Sequence, residues 1–256
     1  MDERILLDVT DGIARLQLAR PAARNAVDLP LCLQLRAAFD EIDADESVRV
    51  VLLSGQGPVF CAGADLKERT GKDASWVRRR RAASFAAYAA IAACRRPVVA
   101  LVHGAVVGSG GEITLAADFA IAAEGTTFRF PEPHWGTIGA TQRLPRAIGP
   151  RRAKELLFTN RPVDAEEARD LGLVVRVVPP AELTEAGNET AKSIAKAPPG
   201  AIALTKRAVD LGTETDLDRG IRIEMAAIEQ NLETGDWRDG IDRFSATRTA
   251  TPEEAE

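Results

Sequence analysis

The sequence predicts an α/β fold built from repeated strand, turn and helix units, with a helical segment at its C-terminal end. Three observations predict it. Apolar, β-branched runs recur at residues 48–55, 97–104 and 118–125, each ended by glycine. Runs of that kind suit strands buried on both faces of a sheet. Helical spacing of apolar residues separates the first two, and from Ala181 onward the pattern turns helical and more charged. The units share too little identity to form a sequence repeat.

Taken in order, residues 5–18 alternate apolar and polar side chains around Asp11-Gly12, a hairpin signal. Residues 19–27 read as a loop leading into a helix. Leu31, Leu35, Ala38, Phe39 and Ile42 then share one face of a helix over residues 29–42. The run at 48–55 is the first buried strand. A long helix follows from about Trp76 to Cys94, and the second and third strands come after it. Pro198-Pro199-Gly200 breaks the tail, and the last dozen or so residues read as frayed. The organisation predicted is a core over residues 1–190 and a helical segment over 191–256.

A chain of 256 residues suits one large hydrophobic core with at most a small appendage. Its formal net charge of -5 gives no call for nucleic acid or an anionic membrane. The uncharged stretch at 97–111 is too short and too glycine-rich to span a bilayer. No signal or transit peptide is visible in the first residues. Three scattered cysteines and two histidines argue against a disulfide framework and against a metal site. The expectation is a cytoplasmic protein without a membrane partner. With no Gly-x-Gly-x-x-Gly or Walker pattern, no nucleotide cofactor is expected.

Two places run from a buried strand through small residues into a helix: Cys61-Ala62-Gly63-Ala64-Asp65 and Gly108-Ser109-Gly110-Gly111-Glu112. Small residues let an acceptor approach the backbone, and the first N–H groups of a helix lack intrahelical partners. Side by side, one N–H from each turn would clamp a developing oxyanion. Tight strand–helix packing would use the same residues. Glu112, at the start of an apolar helix, and Glu132, between two prolines, could divide acid and base roles. Equally, Glu112 would favour a helix N-terminus electrostatically and Glu132 would be a surface loop residue. Ser109 as a nucleophile is disfavoured, because Val107 stands where Gly-x-Ser-x-Gly needs glycine. The four arginines from Arg78 to Arg81 read as a solvated helix face, with a phosphate or RNA contact as the sharper alternative. His134 and Trp135 read as packing residues or site walls, and Cys61 as a small buried residue.

RPAARNAV, VFCAGADLKE, RRPVVALVHGAVVGSGGEITLAADFAIA, FRFPEP, TQRLPRAIG and RPVDAEEARDLGLVVRVVP, in that order, resemble segments of the enoyl-CoA hydratase/isomerase (crotonase) superfamily. The resemblance covers nearly the whole chain. It implies a crotonase-like spiral of repeated ββα units, with a helical C-terminal segment that assembles trimers, often paired into hexamers. It implies acyl-CoA thioester substrates, an enolate-like intermediate, and no cofactor beyond the coenzyme A of the substrate. By position, the N–H groups of Ala64 and Ser109 match the family's oxyanion hole, and Glu112 and Glu132 match the two glutamates of the hydratases. Ala62, Asp65, Leu66 and Lys67, and more weakly Arg24, fall where the family contacts CoA. Phe244 and Arg248 resemble C-terminal positions that touch CoA in a neighbouring subunit. Two departures stand out. The loop after Glu132, PHWGTIGATQRL, is a few residues shorter than the hydratases' glycine-rich loop, and Trp135 replaces an aliphatic residue. The activity implied is hydration of a 2-enoyl-CoA to a 3-hydroxyacyl-CoA. A Δ3-Δ2-enoyl-CoA isomerase, or another chemistry of the superfamily, is the alternative.

Overall fold

The computed structural model describes residues 3–235, 237–238, 240–242 and 245. The chain divides into two compact units, Met1–Ile194 and Ala195–Glu256.

The first unit opens with the hairpin β1 (Ile5–Thr10) and β2 (Ile13–Leu18). Asp11 and Gly12 both take positive φ at its turn (53° and 74°), as a two-residue turn between twisted strands requires. Helix α1 (Leu29–Ala44) follows, capped by the Asp28 side chain, which accepts the Leu31 N–H at 2.9 Å. It buries Leu31, Leu35, Ala38, Phe39 and Ile42, the face its periodicity marks. Next come β3 (Val50–Gly55), α2 (Ala74–Ala93), β4 (Val98–Val102), β5 (Ala105–Val107) and α3 (Ser109–Ala116). Then follow β6 (Phe119–Ala123), β7 (Thr127–Arg129), α4 (Arg143–Ile148), α5 (Pro150–Thr159), β8 (Val163–Asp164), α6 (Ala165–Leu171), β9 (Arg176–Val178) and α7 (Leu183–Ala195).

One sheet has the order β1-β2-β3-β4-β6-β9, antiparallel only in the opening hairpin and parallel from β2 onward. The second sheet has the order β5-β7-β8. All five residues of β4 are buried, which is why that stretch reads as a continuous apolar run. Leu16, Leu53, Val98 and Ala100 of the large sheet pack in one core with Phe39 of α1, Ile91 of α2 and Phe128 of β7. Truncating such a residue, for instance Leu53→Ala, costs about 2–5 kcal/mol.

The second unit contains α8 (Pro199–Gly212) and α9 (Leu217–Thr234), which pack on one another and approach closely where Gly212 meets Gly220. Asp216 caps α9 by accepting the Arg219 N–H at 3.0 Å. The break at Pro198-Pro199-Gly200 is the start of α8. Val209, Leu211, Ile221, Met225 and Ile228 are exposed on these helices.

Candidate active site

Backbone hydrogen bonds bring the two glycine and alanine turns together. Phe60 N–H donates to His103 O at 2.8 Å, Cys61 N–H to Ala105 O at 3.1 Å, and Val107 N–H to Cys61 O at 2.9 Å. The loop after β3 is thereby stitched to β5. Buried Asn25 holds the same loop from the other side. Its Nδ2 lies 2.8, 2.9 and 3.1 Å from the carbonyls of Gln56, Val59 and Phe60, and its Oδ1 accepts the Arg20 N–H. That is a physical reason for the asparagine in the RPAARNAV segment.

Ala64 forms a parallel bridge with Val27. The bridge uses the Gly63 carbonyl, which accepts the Val27 N–H, and the Asp65 N–H, which donates to Val27 O, both at 2.8 Å. In a parallel pairing the residue between two such bonds turns its own N–H the other way. Ser109 is the first residue of α3, where N–H groups have no intrahelical acceptor. Ala64 and Ser109 both line one cavity of about 90 Å³, with Ala62, Leu66, Gly108 and Glu132. Burial raises the pKa of the Tyr88 phenol, and the Ser109 side chain beside it pulls the other way. With no base paired to it and no nucleophile-elbow pattern, the serine-nucleophile reading has no structural support.

Glu132 begins a short 3-10 turn, Glu132–Trp135, after Pro131. Its carboxyl group sits between two glycines. A Cβ on Gly108, itself at φ +48°, would stand 2.9 Å from Oε1, and one on Gly139 would stand 2.8 Å from Cγ. Oε2 is buried with no hydrogen-bond partner. Burial, above all, pushes the carboxyl above its ordinary 4.5; the charge of Glu112 adds to this, while the residue's own N–H and Arg81 pull the other way. The bland surface-loop reading of Glu132 is thus overturned.

Glu112 is 6 % exposed and stands outside the cavity lining. Ala140 N–H donates to its Oε1 at 2.8 Å, and Arg143 Nη1 reaches Oε2 at 3.1 Å. The shortened loop after Glu132 supplies this clamp, with Ala140 in the left-handed region at φ +54°.

The other candidates separate. Ala62 and Leu66 line the cavity; Asp65, Lys67 and Arg24 do not. The Asp65 carboxylate pairs with Arg20 at 3.2 Å and accepts the Lys67 N–H at 3.1 Å, so it braces the loop. Lys67 is exposed, and Arg24 offers its carbonyl to the Ala62 N–H. Phe244 and Arg248 lie outside the described residues. Trp135 is a site wall, while His134 is tied to the Phe158 carbonyl at 2.8 Å.

The solvated-face reading of Arg78 to Arg81 holds for half of the run. Arg78 and Arg79 are exposed, but Arg80 is 1 % exposed and Arg81 lines the cavity. Arg80 pairs with Glu68 at 2.5 Å, donates to Ser84 Oγ at 2.6 Å, and donates to the Val27 carbonyl. Arg69 and Thr137 are further lining residues that the sequence reading did not single out. Among the described residues, no cluster of His, Cys, Asp or Glu could hold a metal ion, and no helix is long and apolar enough to cross a membrane.

Two backbone donors facing a cavity with a buried carboxyl group define an enzyme class. Its members shift protons beside a carbonyl whose negative charge is held in place. Residues 8–254 match the family Enoyl-CoA hydratase/isomerase, and the chain belongs to it. It is 35 % identical to the crotonyl-CoA hydratase of Syntrophomonas wolfei, over 97 % of both chains. It is 37 % identical to the enoyl-CoA isomerase/hydratase fer4 of Mycosarcoma maydis, over 93 % of this chain and 91 % of that one. Enoyl-CoA hydratase from Bacillus anthracis superposes with a TM-score of 0.93 at 37 % identity, covering 96 % of this chain and 97 % of the other. The crotonase fold and acyl-CoA chemistry anticipated from the sequence are those of this family.

Proposed function

We propose that the chain is an enoyl-CoA hydratase. It adds water reversibly to a 2-enoyl-CoA and gives a 3-hydroxyacyl-CoA. The observation that carries this reading is the single cavity wall shared by Ala64, Ser109 and Glu132, with Glu112 near enough to act on Glu132 through its charge.

In this reading the thioester oxygen lies against the N–H groups of Ala64 and Ser109. Water attacks C3 and gives its proton to the Glu112 carboxylate. The double-bond electrons pass through C2 to the thioester oxygen, where the two fixed donors meet the growing charge and lower the barrier. Glu132, whose protonated form burial favours, delivers a proton to C2, and exchange with solvent restores both carboxyl groups. No resident cofactor takes part. Ala62 and Leu66 flank the thioester arm, and Arg24, Asp65 and Lys67 belong to the outer CoA path.

A second reading is favoured by one observation. Ala140 and Arg143 occupy both oxygens of Glu112, whereas Glu132 alone borders the cavity. A Δ3-Δ2-enoyl-CoA isomerase would need only Glu132, shuttling a proton between C4 and C2.

The test uses purified protein with crotonyl-CoA, followed by loss of enone absorbance, and with a 3-enoyl-CoA, followed by its gain. Hydration predicts that Glu112→Gln and Glu132→Gln each lower the rate by about 10²–10⁴-fold. An active Glu112→Gln beside an inactive Glu132→Gln, with turnover of the 3-enoyl-CoA, transfers the assignment to isomerisation.

The exposed apolar side chains of α8 and α9 support assembly as a closed trimer, alone or paired as a hexamer, in which Phe244 and Arg248 reach a neighbour's CoA. Light scattering that shows a monomer at micromolar concentration overturns it. Three buried cysteines, none in a disulfide, support a reducing compartment, the cytoplasm.

A further inference from the structure

Two arginines on the cavity wall have no work in the hydration of a plain enoyl chain. Arg69 and Arg81 both line it, on the same enclosure as Glu132. The nearest acid in the chain, Glu68, is already committed: its Oε1 pairs with Arg80 at 2.5 Å and its Oε2 accepts the Leu29 N–H at 2.9 Å. Among the described residues neither Arg69 nor Arg81 has a carboxylate within ion-pair distance. Arg81 donates to the Ile138 carbonyl, and Arg69 Nε is buried without a partner. Arg69 also feels the charges of Arg80 and Arg81, which together with burial disfavour its protonated form. Partly desolvated cations with no anion make an incomplete site. A carboxylate fits it, because a guanidinium offers paired, coplanar donors that match two carboxylate oxygens.

We propose that the cavity selects acyl-CoA thioesters whose acyl chain ends in a carboxylate, the monothioesters of short unsaturated dicarboxylic acids, with Arg69 and Arg81 gripping the free carboxylate. The chain is short because Glu132 and both arginines border one cavity of about 90 Å³. Glu132 lines the same cavity as Arg69 and Arg81, which places the grip in the enclosure that holds the proposed proton donor. This deepens the hydration reading by naming its substrate, and it rests on that reading for the reaction alone.

The test compares binding of two unreactive thioesters, glutaryl-CoA and butyryl-CoA, with free CoA, by calorimetry on the full chain. Turnover of glutaconyl-CoA and crotonyl-CoA is measured alongside. The wild-type protein is expected to prefer glutaryl-CoA over butyryl-CoA by at least about tenfold, or about 1.4 kcal/mol. Arg69→Met and Arg81→Gln are each expected to collapse that ratio towards one, and Arg81→Lys, which keeps the charge, to retain more of it. A wild-type ratio of one or less overturns the proposal. So does an equal loss of free CoA affinity in the variants, which would assign the arginines to the CoA phosphates. A clear preference without hydration of either enoyl thioester sinks the hydratase reading and leaves the substrate class standing. Hydration of both with no preference does the reverse.

Discussion

The guanidinium of Arg80 donates to the carbonyl of Val27, the same oxygen that accepts the Asp65 N–H. Val27 also sends its own N–H to Gly63, so one residue pins the peptide groups on either side of Ala64. A buried arginine on α2 thus positions the Ala64 peptide, the proposed oxyanion donor, without touching it. Replacing it by methionine leaves Glu68, 14 % exposed on its side chain, without its partner. Breaking a buried pair in this way costs about 3–5 kcal/mol. Denaturant unfolding of Arg80→Met is expected to show a loss of that size. Arg80→Lys, which keeps the charge but loses the fork, should be destabilised less and should lose kcat more than KM. An unchanged midpoint for both variants would remove the positioning role.

Glu132 is held at a cost in stability. Its folded carboxyl has a higher pKa than the ordinary 4.5, so between that value and the raised one the native state binds more protons than the unfolded state. Stability therefore falls as pH rises through that window. Glu132→Gln removes the penalty. Its midpoint is expected to exceed the wild-type midpoint at pH 7, and the gap should close as pH falls below about 4. A variant less stable than wild type at pH 7 contradicts the burial account.

Gly110 stands where α3 meets the loop that carries Ala64. A Cβ there would lie 2.8 Å from the Cys61 carbonyl oxygen and 2.9 Å from the Cys61 Cβ, and backbone cannot swing aside. Gly110→Ala is expected to lose about 1–3 kcal/mol. It should also lower kcat, because relief of the clash moves apart the two turns proposed to hold the oxyanion. Thermal unfolding together with a rate measurement checks both parts.

Cys61 sits beside the cavity yet is expected to be inert. Burial pushes its thiol up to about 12, and the side chain reaches the Asn25 carbonyl at 3.2 Å. Cys32 is also raised by burial, and Cys94 is buried. A thiol reagent applied to the native protein should modify none of the three within the time needed to label the denatured chain fully. Rapid labelling of Cys61 in the native state would place it in an open path to solvent.

Much of the scaffold was legible because burial leaves local marks. The run at 97–104 is apolar on both faces because β4 is covered on both, and Asp11-Gly12 marks the hairpin by its backbone demands. The two glycine and alanine turns were legible as small residues at strand ends, although that they lie side by side depends on hydrogen bonds to β5. Arg80 was not legible in a run of four arginines, yet a signal was present. The buried face of α2 runs through Ile91, Tyr88, Ala87 and Ser84, and one more helical step back reaches Arg80. The clamp of Arg143 and Ala140 on Glu112 left no local mark, since two segments well separated in the chain meet there. Only tertiary packing decides which carboxylate faces the cavity.

Trp135 is 67 % exposed and forms part of the cavity wall. An indole in that position is an optical reporter built into the enzyme. A thioester arm entering the cavity displaces water from the ring, and the emission should shift to the blue as the site fills. Trp76 and Trp237 supply the background, so Trp135→Phe would silence the change without adding any label to the protein.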